Sequence, residues 1–507
     1  MRALLVTSVG VTCAAALTLP LAAPASSAPV LSAASARPPS LTTEPGTDTT
    51  DTSGTSRTTA PDTITSDTTA PDGAEPRAAK SAAAPAGSTQ SLPLAPLAVP
   101  SNRVAGAPAV QGLPQRDARP FSLVGVVWDD AEAELHGTVQ VRTRATGTTR
   151  WSDWQDVETH NADHAADLGS AEREGRTVRG ATAPLWVGDS DGVEVRVRPE
   201  SPAAPGSQDR AATPVPLPEG MRLELVDPGE DPAPEPARGA PANRAAVPAV
   251  FADTPPTAAL PEVLTAEIAA ASAVNAEVAE LGASVIPALT QAETAESVNL
   301  APGAKPYIGP RPRIVTRKGW GADEKLRERN FGYTKSVKAA FVHHSATGNN
   351  YTCKQAPSVL RSIYRYHVKS SGWRDFGYNF AVDKCGNIYE GRAGGVTKAV
   401  LGAHTLGFNT NTMGIAVLGS YGSTNPPAAA VTAVSKLTAW KLGLFGANPK
   451  GKVTLVSGGS NKYKKGVKVK MNVISGHRDG FATECPGARL YKKLGTARTS
   501  SAKLQGR

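Results

Sequence analysis

Apolar and polar residues alternate with a period of two in several short runs: 139–144 (VQVRTR), 193–198 (VEVRVR) and 222–226 (RLELV). Residues 121–128 and 151–157 read as further strands, and GDSDG at 188–192 reads as a turn between them. Period-two runs punctuated by such turns, with little helical pattern, predict a small β-sandwich-like unit over 118–228. The pattern changes after residue 307. AAFVHH (339–344), GYNFAV (377–382) and MGIAVLG (413–419) are nearly continuous apolar runs. Each reads as a strand covered on both faces. A turn at 383–386 leads into a return strand at 388–390, and a short strand at 473–475 enters GHRDGFATECPG. Residues 357–369 place Leu360, Ile363, Tyr364 and His367 on one helical face, and 427–444 reads as a second helix. Strands and helices intermixed in this way predict an α/β domain over 307–497, with a mixed central sheet flanked by helices and a tail at 498–507.

Between these blocks the chain has little to bury. Residues 29–120 contain no Phe, Tyr or Trp, and 187–306 contain only Phe251. Segments this poor in large apolar side chains cannot offset chain entropy by burial. Residues 29–117, Ala/Pro/Thr/Ser-rich with TTAPD repeated at Thr58 and Thr68, read as a spacer, and 229–306 read as a second linker. A weak apolar period at Val274, Val278, Leu281 and Val285 suggests a lone Ala-rich helix without a function. A 507-residue chain exceeds the usual domain size of roughly 50–250 residues, so two globular units on long linkers are expected.

The N-terminus bears on the compartment. Met-Arg is followed by an uncharged, Leu/Val/Ala-rich stretch that ends in small residues by Ala28, so 1–28 reads as a secretory signal. Cys13 would leave with it, so Cys353, Cys385 and Cys485 remain. An odd count in an exported protein suggests one disulfide and one cysteine with another role. No later apolar run is long enough to span a bilayer. The net charge is +9, but residues 307–507 hold 33 Lys+Arg against 8 Asp+Glu, while the remainder is net acidic. Such a basic block points to a polyanionic partner. Export removes genomic nucleic acid from consideration and leaves an anionic wall polymer or lipid.

Five of the eight histidines lie in the last block: His343, His344, His367, His404 and His477. His477 and Cys485 share one loop, and His343 and His344 end a strand. Two imidazoles and a thiolate from distinct elements would leave a fourth zinc position open, which is the pattern of catalytic zinc. Adjacent strand residues point to opposite faces, so only one of His343 and His344 can face such a metal, and spacing does not choose between them. The competing reading is a satisfied core histidine, with Cys485 paired to Cys353 or Cys385. His160 and His164 have a metal-compatible spacing on a helix, but HNADHAAD reads as a loop and no metal is expected there. His367 reads as structural. At least one of Trp151 and Trp154 reads as core, with sugar stacking as the alternative. The lysines of 462–470 read as a solvated loop or a wall-polymer contact.

FVHHSATG (341–348), GWRDFGYNFAVDKCGNIYEGR (372–392), GAHTLGFNTNTMGIAVLG (402–419) and GHRDGFATECPG (476–487) occur in order. They resemble the successive motifs of the peptidoglycan recognition proteins and the related type-2 N-acetylmuramoyl-L-alanine amidases. The resemblance begins at RIVTRKGWGA (313–322) and covers about 180 residues. The layout of signal, spacer and β-rich unit resembles exported actinobacterial members. The resemblance implies a Zn2+ site that hydrolyses the amide between N-acetylmuramic acid and L-alanine. Its metal ligands fall on His343, His477 and Cys485, with His344 outside the ligand set. Its catalytic tyrosine falls on Tyr378, and Thr483 occupies the position two before the cysteine. Tyr378 and Thr483 would then donate to the developing oxyanion.

His404 and Asn409 fall on cleft-lining family positions, with loop capping as the alternative for them. Arg392 is suited to bind a stem-peptide carboxylate or to make a fold salt bridge. Ala393-Gly394-Gly395 replaces the family's specificity pair after EGR. With Cys485 given to the metal, Cys353 and Cys385 are expected to form the disulfide, clipping the loop after the His343 strand to the turn after Tyr378. The function so implied is a secreted, cell-wall zinc amidase, a monomer that meets peptidoglycan and anionic wall polymers but neither nucleic acid nor membrane. The alternative is a peptidoglycan-binding recognition protein with little or no catalysis.

Overall fold

The computed structural model describes residues 86–97, 110–159, 164–200, 215–232, 264–298 and 307–507. The signal-like stretch 1–28, most of the spacer, Phe251 and His160 lie outside the described residues.

The C-terminal sheet grows from the apolar runs. Its seven strands lie in the order Ile474–Gly476, Ala339–His344, Thr412–Val417, Phe380–Val382, Ile388–Glu390, Ile314–Val315, Val285–Ile286. The first four are mutually parallel, and Phe380–Val382 pairs antiparallel with Ile388–Glu390 across the turn. The sheet is therefore mixed. Alternation sends Ala340, Val342, Met413, Ile415 and Val417 to one face. There they meet Val434, Leu437 and Trp440 of helix Ala428–Leu444, and Leu494 and Ala497 of helix Leu494–Leu504. Ala381, Ala416 and Tyr389 go to the other face, against Val359, Leu360 and Ile363 of helix Ala356–Arg365. That helix runs on into a wider π turn over Tyr366–Ser370. Cys353, at the start of the turn before it, is disulfide-bonded to Cys385.

The accessory unit is an all-antiparallel sheet with the principal order Ala86–Pro93, Arg222–Gly229, Gln111–Trp128, Leu185–Pro199, Gly137–Ala145, Gln155–Val157. Ala95–Pro96 and Gly180–Ala181 pair along the long Gln111–Trp128 strand. Register shifts along that strand bend the sheet over a core of Val124, Val126, Trp128, Val139, Val195 and Leu223. Residues 188–192, read as a turn, lie within the strand Leu185–Pro199, where Gly188 takes a positive φ of 73°.

Three expectations about organisation are corrected. Strand Ala86–Pro93 and the start of Gln111–Trp128 lie inside the stretch 29–117 read as spacer. The edge strand AGSTQSLP is held by its backbone ladder to Arg222–Gly229 rather than by large side chains. The segment 229–306 contributes helices Ala266–Ala273 and Gln291–Ser297 and the sheet-edge strand Val285–Ile286, in place of one lone helix. The two units also share a core. Residues 121–128 are buried on both faces: Val124 and Val126 point into their own sheet, while Leu123 and Val127 pack on Val359, Ile363 and Tyr366. Tyr366 Oη donates to Thr182 O at 3.1 Å, and a Cβ on Gly125 would strike its ring, so the strand must carry glycine there. The described residues accordingly form one compact unit.

Candidate metal centre

Parallel pairing sets the first two site residues side by side. Val342 pairs with Gly476, so His343 and His477 leave adjacent strand ends together, with ring centroids 4.5 Å apart. Alternation turns His343 away from the Val342 face and His344 toward it. His344 Nδ1 instead accepts from Tyr421 N at 3.3 Å, and its Nε2 lies 3.4 Å from Glu158 Oε1. His477 opens a short helical turn, His477–Gly480, held by Asp479, whose carboxylate accepts from Gly476 N and from Tyr491 Oη. The loop then returns: Arg478 N donates to Cys485 O at 3.0 Å, and this brings the Cys485 thiol under both imidazoles. Cys485 Sγ is 3.8 Å from His343 Nδ1, and all three residues have no exposed surface.

A fourth group completes the cluster, and it comes from the accessory unit. His164 Nε2 lies 3.2 Å from His477 Nδ1 and 3.6 Å from Cys485 Sγ. One ligand atom from each of His164, His343, His477 and Cys485 falls within 4.8 Å of every other. A tetrahedral zinc ion with bonds of about 2.0 Å to nitrogen and 2.3 Å to sulfur separates its ligand atoms by about 3.3–3.6 Å. The separations of 3.2, 3.6 and 3.8 Å lie near that edge length, and three imidazoles with a thiolate are a donor set that suits zinc. The structure brings His164, from the stretch HNADHAAD where no metal is expected, into this cluster; its loop needs no helical pairing with His160 because its neighbours here lie in the other unit.

The surroundings hold the imidazoles ready. Burial pushes His343 well below the usual imidazole range, with the neighbouring His477, His164, His404 and His344 adding to it, so the ring is neutral and able to ligate. Its Nε2 lies 3.5 Å from Thr405 Oγ1, which also meets His404 Nδ1 at 3.0 Å. This relay orients the His343 ring. His404 is wholly buried behind His343 rather than lining a cleft, and Gly414 has no Cβ to obstruct its ring. Tyr378 is nearly buried with its ring centroid 5.2 Å from that of His343. His367 stacks on Trp373 and accepts from Gly377 N, bracing the turn before Tyr378. Thr483 Oγ1 accepts from Cys485 N at 3.2 Å.

The remaining site residues meet the accessory segment 164–179. Asn409 Oδ1 caps His404 N and Thr405 N, while its Nδ2 donates to Ala165 O and to Asp167 Oδ1. Asp167 also accepts from Gly407 N at 2.7 Å, and burial raises its pKa. Arg392 donates to Leu401 O and forms an ion pair with Glu172. Arg374 donates to the carbonyls of Glu172 and Glu174, and Arg179 N donates to Ser371 O. A cavity of about 400 Å³ lies alongside, lined among others by His164, Leu168, Trp373, Lys464 and Phe481. Trp154 stacks under the Arg196 guanidinium at 3.9 Å, and Trp151 pairs with Arg142 and Arg144. Among the described residues no helix is long and apolar enough to cross a membrane.

Residues 333–488 match the N-acetylmuramoyl-L-alanine amidase family, and residues 65–216 match the family described as Rv3811 N-terminal galactose-binding domain-like. Peptidoglycan-recognition protein SC2 of Drosophila simulans is 30% identical over 185 residues, covering 36% of this chain and 85% of that protein. N-acetylmuramoyl-L-alanine amidase of Homo sapiens is 30% identical over 194 residues, 36% of this chain and 28% of that protein. Among solved structures, wild-type Drosophila PGRP-LB aligns at 25% identity with a TM-score of 0.29, covering 36% of this chain and 92% of that chain.

Proposed function

The chain belongs to the family of peptidoglycan recognition proteins and type-2 amidases, and on that footing we propose that it is a secreted zinc-dependent N-acetylmuramoyl-L-alanine amidase of the cell wall. The observation that carries the reading is the convergence of His343, His477 and Cys485 beside Tyr378, since a module that only binds has no need of a buried thiol between two imidazoles. Bound to those three residues, Zn2+ supplies Lewis acidity toward the amide carbonyl and lowers the pKa of water toward about 7. Tyr378 presents a phenol at the same place, positioned to donate to the carbonyl oxygen as it gains charge. One such donor is worth roughly 3–4 kcal/mol. Thr483 fixes the Cys485 backbone and offers a hydroxyl on the same loop. Arg392 and Asn409 suit the carboxylate and amide groups of a stem peptide, whereas His404 acts through Thr405 on His343. The export reading rests on the N-terminal stretch 1–28 and on the location of peptidoglycan outside the cytoplasm.

The test is mass analysis of muropeptides incubated with the zinc-loaded chain and with the His164→Ala chain. Release of peptides bearing a free L-alanine N-terminus, lost in Cys485→Ser together with the zinc and in Tyr378→Phe with the zinc kept, supports the reading. Binding of muropeptide without such release by either chain overturns it in favour of recognition alone.

A further inference from the structure

We infer that His164 is the fourth protein ligand of the metal centre, so that the chain carries a closed three-histidine, one-cysteine site and its own accessory segment lies where a wall peptide would lie. The second half of the inference rests on the amidase reading; the first half rests on geometry alone.

Four observations converge. His164 Nε2 stands at tetrahedral edge distance from both His477 Nδ1 and Cys485 Sγ, and the residue is 5% exposed. A metal with four protein ligands has the coordination of structural zinc, while catalysis needs the fourth position for water or substrate. The segment that follows then meets, in chain order, the groups suited to an anionic peptide: Asp167 on Asn409 and Gly407, and Glu172 on Arg392. Finally, the segment is anchored beyond the groove, with Arg176 Nη1 donating to Trp373 O and Arg179 N to Ser371 O. An imidazole followed by two carboxylates thus fills the metal position and both cationic or amide subsites at once. The ligand class that would displace it is a peptide carrying carboxylates at a comparable spacing, together with an amide carbonyl able to take the fourth metal position. The cavity beside His164 leaves the segment open to one side rather than sealed in packed core.

The experiment uses the full chain loaded with Co2+ as a spectroscopic stand-in for zinc, alongside His164→Ala and the double variant Asp167→Asn/Glu172→Gln. Three quantities are read: metal affinity by chelator competition, the visible spectrum before and after adding imidazole, and muropeptide hydrolysis. The wild-type spectrum is expected to ignore imidazole, because the coordination is complete; this readout does not depend on any variant folding. His164→Ala is expected to hold the metal more weakly, by about tenfold or more, and to shift its spectrum as imidazole fills the vacated position. Its hydrolysis is expected to rise about tenfold or more, since the competent population is no longer limited by closure. The double variant keeps the metal and gains turnover in the same direction. A wild-type spectrum that shifts with imidazole as the variant's does, or equal metal affinity in wild type and His164→Ala, overturns the inference. Closed-site spectra with no hydrolysis by any variant leave His164 as a ligand and sink the amidase reading instead. Equal hydrolysis with coincident spectra keeps the amidase and removes His164 from the site.

Discussion

Replacing Arg317 with methionine tests how far the groove depends on charges buried beneath it. The Arg317 guanidinium has almost no exposed surface. It donates to Glu324 Oε1 at 2.6 Å, Asp375 Oδ1 at 3.1 Å and Gly391 O at 2.6 Å, and lies 4.8 Å from the Tyr364 ring. Methionine would fill much of the aliphatic space but leave both carboxylates behind. Glu324 keeps Arg327 at 2.5 Å; among the described residues Asp375 keeps the backbone donors of Phe376 and Ala393. Removing one partner from a buried ion pair costs about 3–5 kcal/mol, mostly the penalty of the stranded charge. The unit Ala79–Arg507 is larger than an ordinary domain, so at about 2.1 cal/mol/K per residue each kcal/mol moves Tm by about 1–1.5 °C, and the expected fall is roughly 3–8 °C. Asp375 lies three residues before Tyr378 and Gly391 directly before Arg392, so the same loss should reach turnover. Thermal melts of the metal-loaded chain at pH 7 measure the first effect. The double variant Arg317→Met/Asp375→Asn should recover part of the fall, because it removes the stranded charge. A fall under about 2 °C, or a double variant no better than the single one, would refute the reasoning.

Two further outcomes follow from a disulfide and from a buried carboxyl. The disulfide Cys353–Cys385 closes a sequence separation of 32 residues, which the chain-entropy relation values at about 4 kcal/mol; the double alanine variant should melt correspondingly lower, with its metal content unchanged. Burial pushes the Glu390 carboxyl up to about 7, despite the hydrogen bonds from Asn275 and Arg317 that favour its charge. The folded chain therefore holds a proton that the unfolded chain releases between about pH 4.3 and 7, so stability should fall by about 4 kcal/mol as pH rises through that window. Glu390→Gln should flatten that part of the Tm–pH profile.

The strands that carry the site were legible because their side chains alone specify them. AAFVHH and MGIAVLG are apolar on both faces, as a parallel strand between helices requires, and alternation along the first separates His343 from His344. The edge strand Ala86–Pro93 was not legible, since its partner Arg222–Gly229 lies more than a hundred residues away and its own sequence resembles spacer. Local propensity carries no information about such a ladder. His164 was missed for the same reason. Its spacing from His160 invited a test for a helical metal pair, whereas its actual partners lie 179 to 321 residues further on. The one available signal was the run of His164, Asp167 and Glu172, a ligand and two acids in a chain whose other half is strongly basic; without the fold nothing assigns them to Cys485, Asn409 and Arg392.

The charge division of the chain takes on a more specific meaning in this arrangement. An excess of cations over residues 307–507 predicts an anionic partner outside the chain, yet at the groove the partner is the chain's own acidic half: Glu172 on Arg392, Asp167 on Asn409, and Asp231 on Arg361 nearby. Of these groups Arg392 is the cation that the segment withholds from an external polymer while it is seated. The lysines at 462, 464, 465, 468 and 470 are different, since they stay exposed on and beside the hairpin Lys452–Val456/Lys468–Asn472. On the proposed wall reading, attraction to the polymer therefore belongs to the hairpin and hydrolysis to the groove, two surfaces under different control. Salt screens the first within about 10 Å at 0.1 M, while the second opens only when the segment gives up a metal ligand and two carboxylate contacts together. A chain built this way can reach the wall with its metal site closed, and the stem peptide then competes directly with His164, Asp167 and Glu172 for the positions they hold.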